Sequence, residues 1–199
     1  RDAQESRGLG DVYKRQTINN RLRGVSRRAS LEIILENADR AYSEAEKDTL
    51  TDRKNDLYRK LLDGLKPEDR DPGFDSLYAF LKREGIRCAV ASSSRNTVAI
   101  LSKLGLLDCF DAIADGNMIT RSKPDPEVFL KAAALLGEEP AHCLVIEDAV
   151  AGVKAGKAAG MTTAGVRDAV SSPFSDFSLS ALKDVIQVVH SVNRERFSQ

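Results

Sequence analysis

The sequence predicts an α/β fold, in which a parallel β-sheet carries helices on both faces. Short apolar runs rich in branched residues alternate with amphipathic helical stretches after residue 72. Most of these stretches stop at a glycine, as at Gly137 and Gly160. Two of the apolar runs end in polar or charged residues, Ser92–Ser94 and Glu147–Asp148. Open parallel sheets place their ligands at such strand ends, so the same pattern predicts a binding site.

Residues 17–71 predict a small helical domain that precedes the sheet. Ser26 is a candidate N-cap for a first helix, whose apolar face would extend from Leu31 to Tyr42. Ser43 and Glu46 have capping-box spacing, which predicts the start of a second helix. This second helix is expected to run to about residue 62, with an apolar set of Leu50, Leu57, Tyr58, Leu61 and Leu62.

Residues 72–199 predict the α/β domain, which we expect to be a Rossmann-like core. Asp125 is a candidate N-cap with Pro126 in the first helical position, which indicates a helix start. The predicted elements, in chain order, are a helix from 74 to Gly85, a strand at 86–91, a helix at 97–104, a strand at 110–114, a helix from 125 to 137, a strand at 143–146, a helix at 150–159, a strand at 162–166 and a helix near 182–189.

Composition narrows the class of protein. The 199 residues are 42% hydrophobic and carry 30 basic and 30 acidic side chains, which is ordinary for a globular protein. Zero net charge gives no support for nucleic acid or a membrane as partner. Cys88, Cys109 and Cys143 are odd in number and widely spaced, which favours a reducing cytoplasm over a disulfide framework. We expect a cytoplasmic monomer with neither a membrane span nor a signal peptide.

Residues 1–16 match neither helix nor strand periodicity. The run SRGLGDVYKRQ resembles a translated sequencing-adapter fragment, so one hypothesis is that residues 1–16 are a non-native tail. The alternative is a genuine flexible tail. Under both hypotheses these residues carry no chemistry.

Three groups of residues at predicted strand ends and loops could act on a phosphorylated ligand. Ser92, Ser93 and Ser94, followed by Arg95 and Asn96, lie where a strand meets a helix and could bind phosphate; an ordinary N-cap turn is the alternative. Lys123 precedes a helix start and could reach the same crevice, or it could be a surface lysine. Glu147 and Asp148 could hold a hard cation, and Asp148 could also cap a helix.

In order and spacing, these three groups resemble the motifs of the haloacid dehalogenase superfamily of phosphotransferases. The run from Glu147 to Gly160, EDAVAGVKAGKAAG, looks especially typical. The resemblance implies that Ser92 and Lys123 bind the transferring phosphoryl group. It also implies that Glu147 and Asp148 help to hold Mg²⁺.

Further residues resemble the cap domain and phosphate loop of the β-phosphoglucomutases within this superfamily. These are the run Arg23-Gly24-Val25-Ser26-Arg27, the segment Arg53-Lys54-Asn55-Asp56 and the loop Ser92-Ser93-Ser94-Arg95-Asn96. The resemblance implies a sugar-phosphate substrate. It also implies that Arg27, with Lys54 nearby, grips the far phosphate of a sugar bisphosphate. An arginine in the first turn of a helix is electrostatically unfavourable, which favours an anion-binding role for Arg27 over a surface role.

One motif of the superfamily is missing from the sequence. The nucleophile should lie near the N-terminus, on an apolar strand that ends in Asp-x-Asp. Upstream of the cap only Asp2 and Asp11 are aspartates, and neither follows such a strand. We therefore expect an N-terminally truncated chain that lacks the central strand and the first cap helix. Such a chain should form no phospho-aspartate, bind Mg²⁺ more weakly and be less stable.

Three functions remain open from the sequence. The first is β-phosphoglucomutase-type interconversion of β-glucose 1-phosphate and glucose 6-phosphate through a 1,6-bisphosphate, in an inactive, truncated copy. The second is a sugar-phosphate phosphatase of the same superfamily, and the third is a non-catalytic protein that binds a phosphate ligand. A zinc enzyme or a Ser-His-Asp hydrolase is disfavoured, because His142 and His190 lie in no ligand-spaced or triad-like setting.

Overall fold

The structure is a computed structural model that describes Ile18 and residues 21–196, with side chains up to residue 192. Residues 1–17, 19–20 and 197–199 lie outside the described residues. The hypothesis that residues 1–16 are a non-native tail therefore falls outside the part of the chain described here.

The helical segment, residues 21–62, contains two helices whose bounds are fully described, and Ile18, Arg21 and Leu22 before them are also helical. Helix α1 spans Arg27–Leu35, and the side chain of its N-cap, Ser26, accepts a hydrogen bond from the Ala29 amide at 3.2 Å. Helix α2 spans Glu44–Leu62 and begins with the predicted capping box between Ser43 and Glu46. The predicted start of α1 and both ends of α2 are confirmed. The predicted extension of the first helix to Tyr42 is wrong, because α1 ends at Leu35 and the chain turns before α2.

The helical segment buries few of its apolar side chains. Leu31 of α1 is buried, but none of the residues of α2 is. Leu57 is 58% exposed and Leu61 is 77% exposed, although both belong to the predicted apolar set. In the described part of the chain, this side of α2 has no packing partner that would cover it.

The α/β segment follows, and its elements confirm the predicted alternation of helices and strands. In chain order they are α3 Phe74–Arg83, β1 Ala89–Ala91, α4 Thr97–Lys103, β2 Ala112–Ala114, α5 Glu127–Leu136, β3 Leu144–Glu147, α6 Val150–Ala158, β4 Thr162–Val166, β5 Phe177–Leu179 and α7 Val185–Arg196. Single 3₁₀ turns lie at Pro67–Asp69, Leu107–Cys109, Pro140–His142, Arg167–Ala169 and Leu182–Asp184.

Several strands differ from the prediction: β2 begins at Ala112 rather than at residue 110, and β3 spans Leu144–Glu147 rather than 143–146. Strand β1 begins at Ala89 rather than at residue 86, because the Cys88 amide donates to the Asp111 carboxylate at 2.8 Å instead of to a strand backbone. Strand β5 was not predicted. It is three residues long and lies in a serine-rich stretch, so it has no detectable hydrophobic period.

The strands form two parallel sheets among the described residues. Strands β1 and β2 form one sheet, and β3, β4 and β5 form the other in that order. No described strand lies between β1 and β3, so each has one edge without a backbone partner in this part of the chain.

Buried apolar side chains join the two sheets below the strand ends. One cluster contains Ala114 of β2, Val145 of β3 and Phe129 of α5, so it spans both sheets. A second cluster packs Leu77 and Phe80 of α3 against β4, β5 and α7. In the described ranges, no helix is long and apolar enough to cross a membrane.

Candidate active site

A cavity of about 810 Å³ lies between the helical segment and the carboxyl ends of β1 and β3. Most of the residues singled out from the sequence line it, although they come from five separate stretches of the chain. They are Gly24, Val25, Arg27, Lys54, Ser92, Ser93, Ser94, Asn96, Lys123, Glu147 and Asp148. The structure therefore brings the three predicted groups together at one edge of the sheets.

Lys123 is a buried side chain at the floor of this cavity. It is 5% exposed, so the alternative of a surface lysine is wrong. Its ammonium donates to the carbonyl of Ala91, the last residue of β1, at 3.1 Å and forms an ion pair with Glu147. It also lies 4.6 Å from the centre of the Phe129 ring. Lys123 thus places its ammonium group at the carboxyl ends of β1 and β3.

Glu147 and Asp148 differ in environment although they are adjacent. Glu147 is 8% exposed and its carboxylate also accepts a hydrogen bond from the Ala149 amide at 3.3 Å. The side chain of Asp148 is about half exposed. Helix α6 takes Ala149 as its N-cap and has no side-chain cap, so the alternative capping role of Asp148 is not observed.

Gly152 of α6 makes room for the Glu147 carboxylate. A Cβ atom at this position would lie 2.1 to 2.4 Å from the carboxylate atoms, closer than any real contact. The glycine therefore lets the helix approach the buried ion pair directly.

These two carboxylates are oxygen ligands of the type that a divalent cation binds. Mg²⁺ prefers oxygen ligands and is commonly bound by one or two carboxylates together with water and substrate phosphates. Glu147 and Asp148 supply two such groups, but Glu147 is shared with Lys123. Among the residues with described side chains, no cluster of three or more potential metal ligands is present. The site therefore offers a minimal set of ligands.

The loop after β1 is held by its own hydroxyl groups. The Ser92 hydroxyl accepts from the Ser94 amide at 3.1 Å, and the Ser94 hydroxyl accepts from the Asn96 amide at 3.1 Å. The Thr97 hydroxyl donates to the Ser94 carbonyl at 2.8 Å. These bonds are those of an ordinary polar turn, and the same turn presents Ser92 and Ser94 to the cavity. The loop can therefore be both an ordinary N-cap turn and a candidate phosphate-binding loop.

A second cavity, of about 670 Å³, adjoins the first at Arg27 and Ser93. Arg95 and Ser26 line it, as does Thr51 of α2. The hydroxyl groups of Ser93 and Thr51 are buried and have no hydrogen-bond partner in the described part of the chain. Buried hydroxyls without partners are uncommon and suggest a polar ligand or water.

Arg27 and Arg95 line this second cavity together with the carboxylates of Glu44, Asp48 and Asp52. Among the described residues neither guanidinium forms an ion pair. Burial, and then the positive charge of Arg95, lower the pKa of Arg27, while Asp52 acts in the opposite direction. Two arginines that repel each other from opposite segments of the chain favour an anionic ligand between them.

Several contacts hold the helical segment against the α/β segment. Gly24 has a φ of +74°, and a Cβ atom there would lie 3.3 Å from the Cβ of Ala149. Asn96 donates through its side chain to the Asn55 side chain of α2 at 3.1 Å. The residues predicted to bind substrate thus also include groups that join the two segments.

The sequence argument missed part of the cavity wall. Asp71 and Arg167 line the first cavity, as does Asn55 of the cap segment that the sequence singled out. Arg23, which the sequence predicted to bind substrate, lies outside this lining, 3.9 Å from Asp148. Arg167 follows β4, so the rule that ligands meet strand ends could have found it. Asp71 lies in a connection between segments, where no periodic signal exists.

The comparisons with known proteins agree with this geometry. The family model of the haloacid dehalogenase-like hydrolases matches residues 5–160. The chain therefore belongs to the haloacid dehalogenase-like hydrolase family, whose members carry out phosphoryl transfer and hydrolysis.

Within this family the chain is similar to the β-phosphoglucomutases. It is 47% identical to β-phosphoglucomutase from Bacillus subtilis over 158 residues, which cover 78% of this chain and 70% of that protein. The crystal structure of β-phosphoglucomutase from Clostridium difficile superimposes with a TM-score of 0.84 at 33% identity, covering 92% of this chain and 84% of the other. A fructose-1-phosphate phosphatase from Escherichia coli is 36% identical over 107 residues, which span 54% of this chain and 55% of that protein.

Proposed function

We propose that this protein binds a sugar bisphosphate in a site of the β-phosphoglucomutase type. The complete site would interconvert β-glucose 1-phosphate and glucose 6-phosphate through a 1,6-bisphosphate. The helical segment would act as the cap domain over the α/β core. The similarity to β-phosphoglucomutases supports this choice of substrate class.

The observation that supports the proposal is a pair of adjoining cavities, each lined by cationic side chains. Lys123 and Ser92 line the first cavity, whereas Arg95 lines the second and Arg27 lies where the two meet. A ligand with one phosphate needs a single such site. A ligand with a phosphate at each end would use both, and it would relieve the repulsion between Arg27 and Arg95.

The residues of the two cavities would have different roles in binding and transfer. The Lys123 ammonium would offset the charge of the transferring phosphoryl group, and the Ser92 hydroxyl would orient it. Arg27 and Arg95 would hold the second phosphate and thereby align the sugar. The helical segment covers the cavity and would exclude water from the reacting group.

A divalent cation would be held by Glu147 and Asp148. When bound, Mg²⁺ would offset the negative charge of the phosphoryl group during transfer. Because Glu147 already pairs with Lys123, cation binding and the position of that lysine would be coupled.

The covalent step needs an aspartate nucleophile, which the described residues do not supply in a suitable position. Asp71 and Asp148 are the aspartates among the cavity-lining residues of the described chain. Asp71 accepts a hydrogen bond from the Gly73 amide at 2.9 Å and pairs with Arg167, and Asp148 is a candidate metal ligand. We therefore propose that the described residues bind the ligand but hold no nucleophile that would turn it over.

Calorimetry with glucose 1,6-bisphosphate, glucose 6-phosphate and inorganic phosphate tests the proposal. The parent should bind the bisphosphate most tightly. Arg27→Ala should weaken bisphosphate binding by roughly 10- to 100-fold, since a hydrogen bond to a charged group contributes about 1.5–3 kcal/mol. It should leave inorganic phosphate binding nearly unchanged.

Arg40→Ala is the control, because Arg40 lies in the same helical segment, pairs with Glu46 and lines neither cavity. It should bind the bisphosphate like the parent. A parent that binds the bisphosphate no more tightly than the monophosphate would show the proposal to be wrong. Turnover of β-glucose 1-phosphate with a bisphosphate primer and Mg²⁺ would contradict the proposed lack of activity.

The second candidate is a sugar-phosphate phosphatase. The similarity to the fructose-1-phosphate phosphatase supports it, since such an enzyme would use the same core with one phosphate site. In that case Arg27→Ala and the parent should bind every phosphorylated ligand equally. The third candidate is a non-catalytic protein that binds a phosphate ligand. It would bind the phosphorylated ligands in the same way, and the absence of turnover would distinguish it from an active enzyme.

A further inference from the structure

Two adjacent residues after β4 form ion pairs with residues that lie before α1 and after α2 in the chain. Asp168 forms an ion pair with Arg23, which precedes α1, at 2.8 Å. Arg167 forms an ion pair with Asp71, in the connection from α2 to α3, at 3.2 Å. One short turn of the α/β segment therefore contacts the chain both before and after the two helices.

The backbone of this turn is unusual. Arg167 has a φ of +54°, and it is the one non-glycine residue with positive φ in the described part of the chain. A left-handed conformation at such a residue persists only where the surrounding structure holds it, and it is often found at functional sites. Here it opens the 3₁₀ turn Arg167–Ala169, and consecutive side chains reach two different segments.

The partners of the turn are themselves fixed near the cavity. One carboxylate oxygen of Asp71 accepts from the Gly73 amide at 2.9 Å, while the other faces Arg167. Arg23 lies 3.9 Å from Asp148, a candidate metal ligand, as well as 2.8 Å from Asp168. The position of the helical segment is thus tied to the acidic end of the site.

We infer that the Arg167–Asp168 turn is a clamp that sets the position of the helical segment over the cavity. Arg23 and Asp168 are positioning residues: they place Arg27, a few residues after Arg23, relative to the phosphate loop. This second half of the inference rests on the proposed function, whereas the clamp itself does not. Both side chains are nearly half exposed, so salt should weaken the contact.

Hydrogen exchange read by mass spectrometry tests the clamp without any ligand. Asp168→Asn should speed exchange in peptides that cover residues 21–31 and 66–74, and leave the strands β3 and β4 at parent rates. A role in overall stability alone would raise exchange throughout the chain instead. Arg83→Gln removes an exposed ion pair with Glu84 and serves as the control.

A distance measurement provides a second, independent readout. Spin labels at Leu61 and Leu135, both exposed, report on the two segments after the three cysteines are replaced by serine. The parent should show one narrow distance, and Asp168→Asn should broaden it. Parent-like exchange and parent-like distances in Asp168→Asn would overturn the clamp, and so would a broad distribution in the parent.

Ligand binding then separates the clamp from the proposed function. Asp168→Asn should weaken binding of glucose 1,6-bisphosphate more than that of inorganic phosphate, because only the bisphosphate needs Arg27 in place. A parent that binds no bisphosphate would contradict the proposed function and leave the clamp standing. Equal loss for both ligands would overturn the positioning role.

Discussion

Lys123 and Glu147 form a buried ion pair that joins the loop before α5 to the end of β3. The same ammonium donates to the carbonyl of Ala91 at the end of β1. A buried pair of this kind adds little net stability compared with apolar residues, but removing one partner is costly. The pair therefore serves the site, and its loss should be visible in the fold.

We predict that Lys123→Met destabilises the protein by about 3–5 kcal/mol, because it leaves the Glu147 carboxylate buried without its partner. Chemical denaturation measures the change in the free energy of unfolding. The double variant Lys123→Met with Glu147→Leu should recover much of the loss, since both charges are then absent. A single variant as stable as the parent would show that Glu147 is not held by Lys123.

A second prediction concerns Gly152. In an exposed helix interior, replacing glycine with alanine usually stabilises. Here the new Cβ would collide with the Glu147 carboxylate, which cannot move without breaking its ion pair with Lys123. We expect Gly152→Ala to destabilise by about 1–3 kcal/mol, as overpacking does.

Gly64→Ala is the matched control, because the nearest atom to its Cβ would be the Leu61 carbonyl oxygen at an ordinary 3.7 Å. Denaturation of both variants checks the comparison. If Gly152→Ala were the more stable of the two, the close approach of α6 to Glu147 would be incorrect.

The third prediction compares two leucines of the helical segment. Leu31 is 7% exposed, whereas Leu61 is 77% exposed. Leu31→Ala should cost about 2–5 kcal/mol through loss of burial and the cavity left behind. Leu61→Ala should change stability by less than about 0.5 kcal/mol. Thermal and denaturant unfolding of the pair measures both, and a large loss for Leu61→Ala would mean that this face of α2 is covered.

The fourth prediction is a pH dependence at the start of α2. A hydrogen bond from Arg40, and then bonds from the Ser43 backbone and hydroxyl, lower the pKa of Glu46 from 4.5 to about 2. A carboxyl group with a lowered pKa stabilises the fold above its unfolded pKa, and this stabilisation is lost as the pH falls through its folded pKa. Glu46→Gln should therefore be less stable than the parent near neutral pH.

The two proteins should converge as the pH falls from about 4.5 towards about 2, where the parent loses the same charge. Melting followed by circular dichroism across this range measures the difference. A gap that stays constant with pH would indicate that the charge of Glu46 does not contribute.

Local signals in the sequence were sufficient for most helix and strand positions. The capping box at Ser43 and Glu46 located the start of α2, and the glycines at 85, 105, 137 and 160 take the left-handed conformation that ends a helix. The predicted strand 162–166 matches β4 exactly in its bounds. These features depend on a few neighbouring residues, which is why sequence patterns report them.

Features that depend on contacts between residues far apart in the sequence were harder to predict from it. The apolar set of α2 predicted a buried face, but burial needs a partner that the helix itself does not encode. No sequence motif marks the turn at Arg167 and Asp168. Its role depends on ion pairs with Arg23 and Asp71, which are far away in the sequence. The convergence of Ser92, Lys123 and Glu147 followed from the rule that ligands bind at the carboxyl ends of parallel strands, since the alternating pattern does reveal a parallel sheet.

The division between β1 and β3 has a consequence for how ligand affinity should appear in a melting experiment. In the described chain, side chains rather than a backbone ladder bridge this seam, and at the cavity the bridge is the Lys123 ammonium. A phosphate that recruits this ammonium competes with the contacts that close the seam. Opening these contacts offsets part of the interaction energy with the phosphate, so both the measured affinity and the rise in melting temperature that follows from it should be smaller than a preformed site would give.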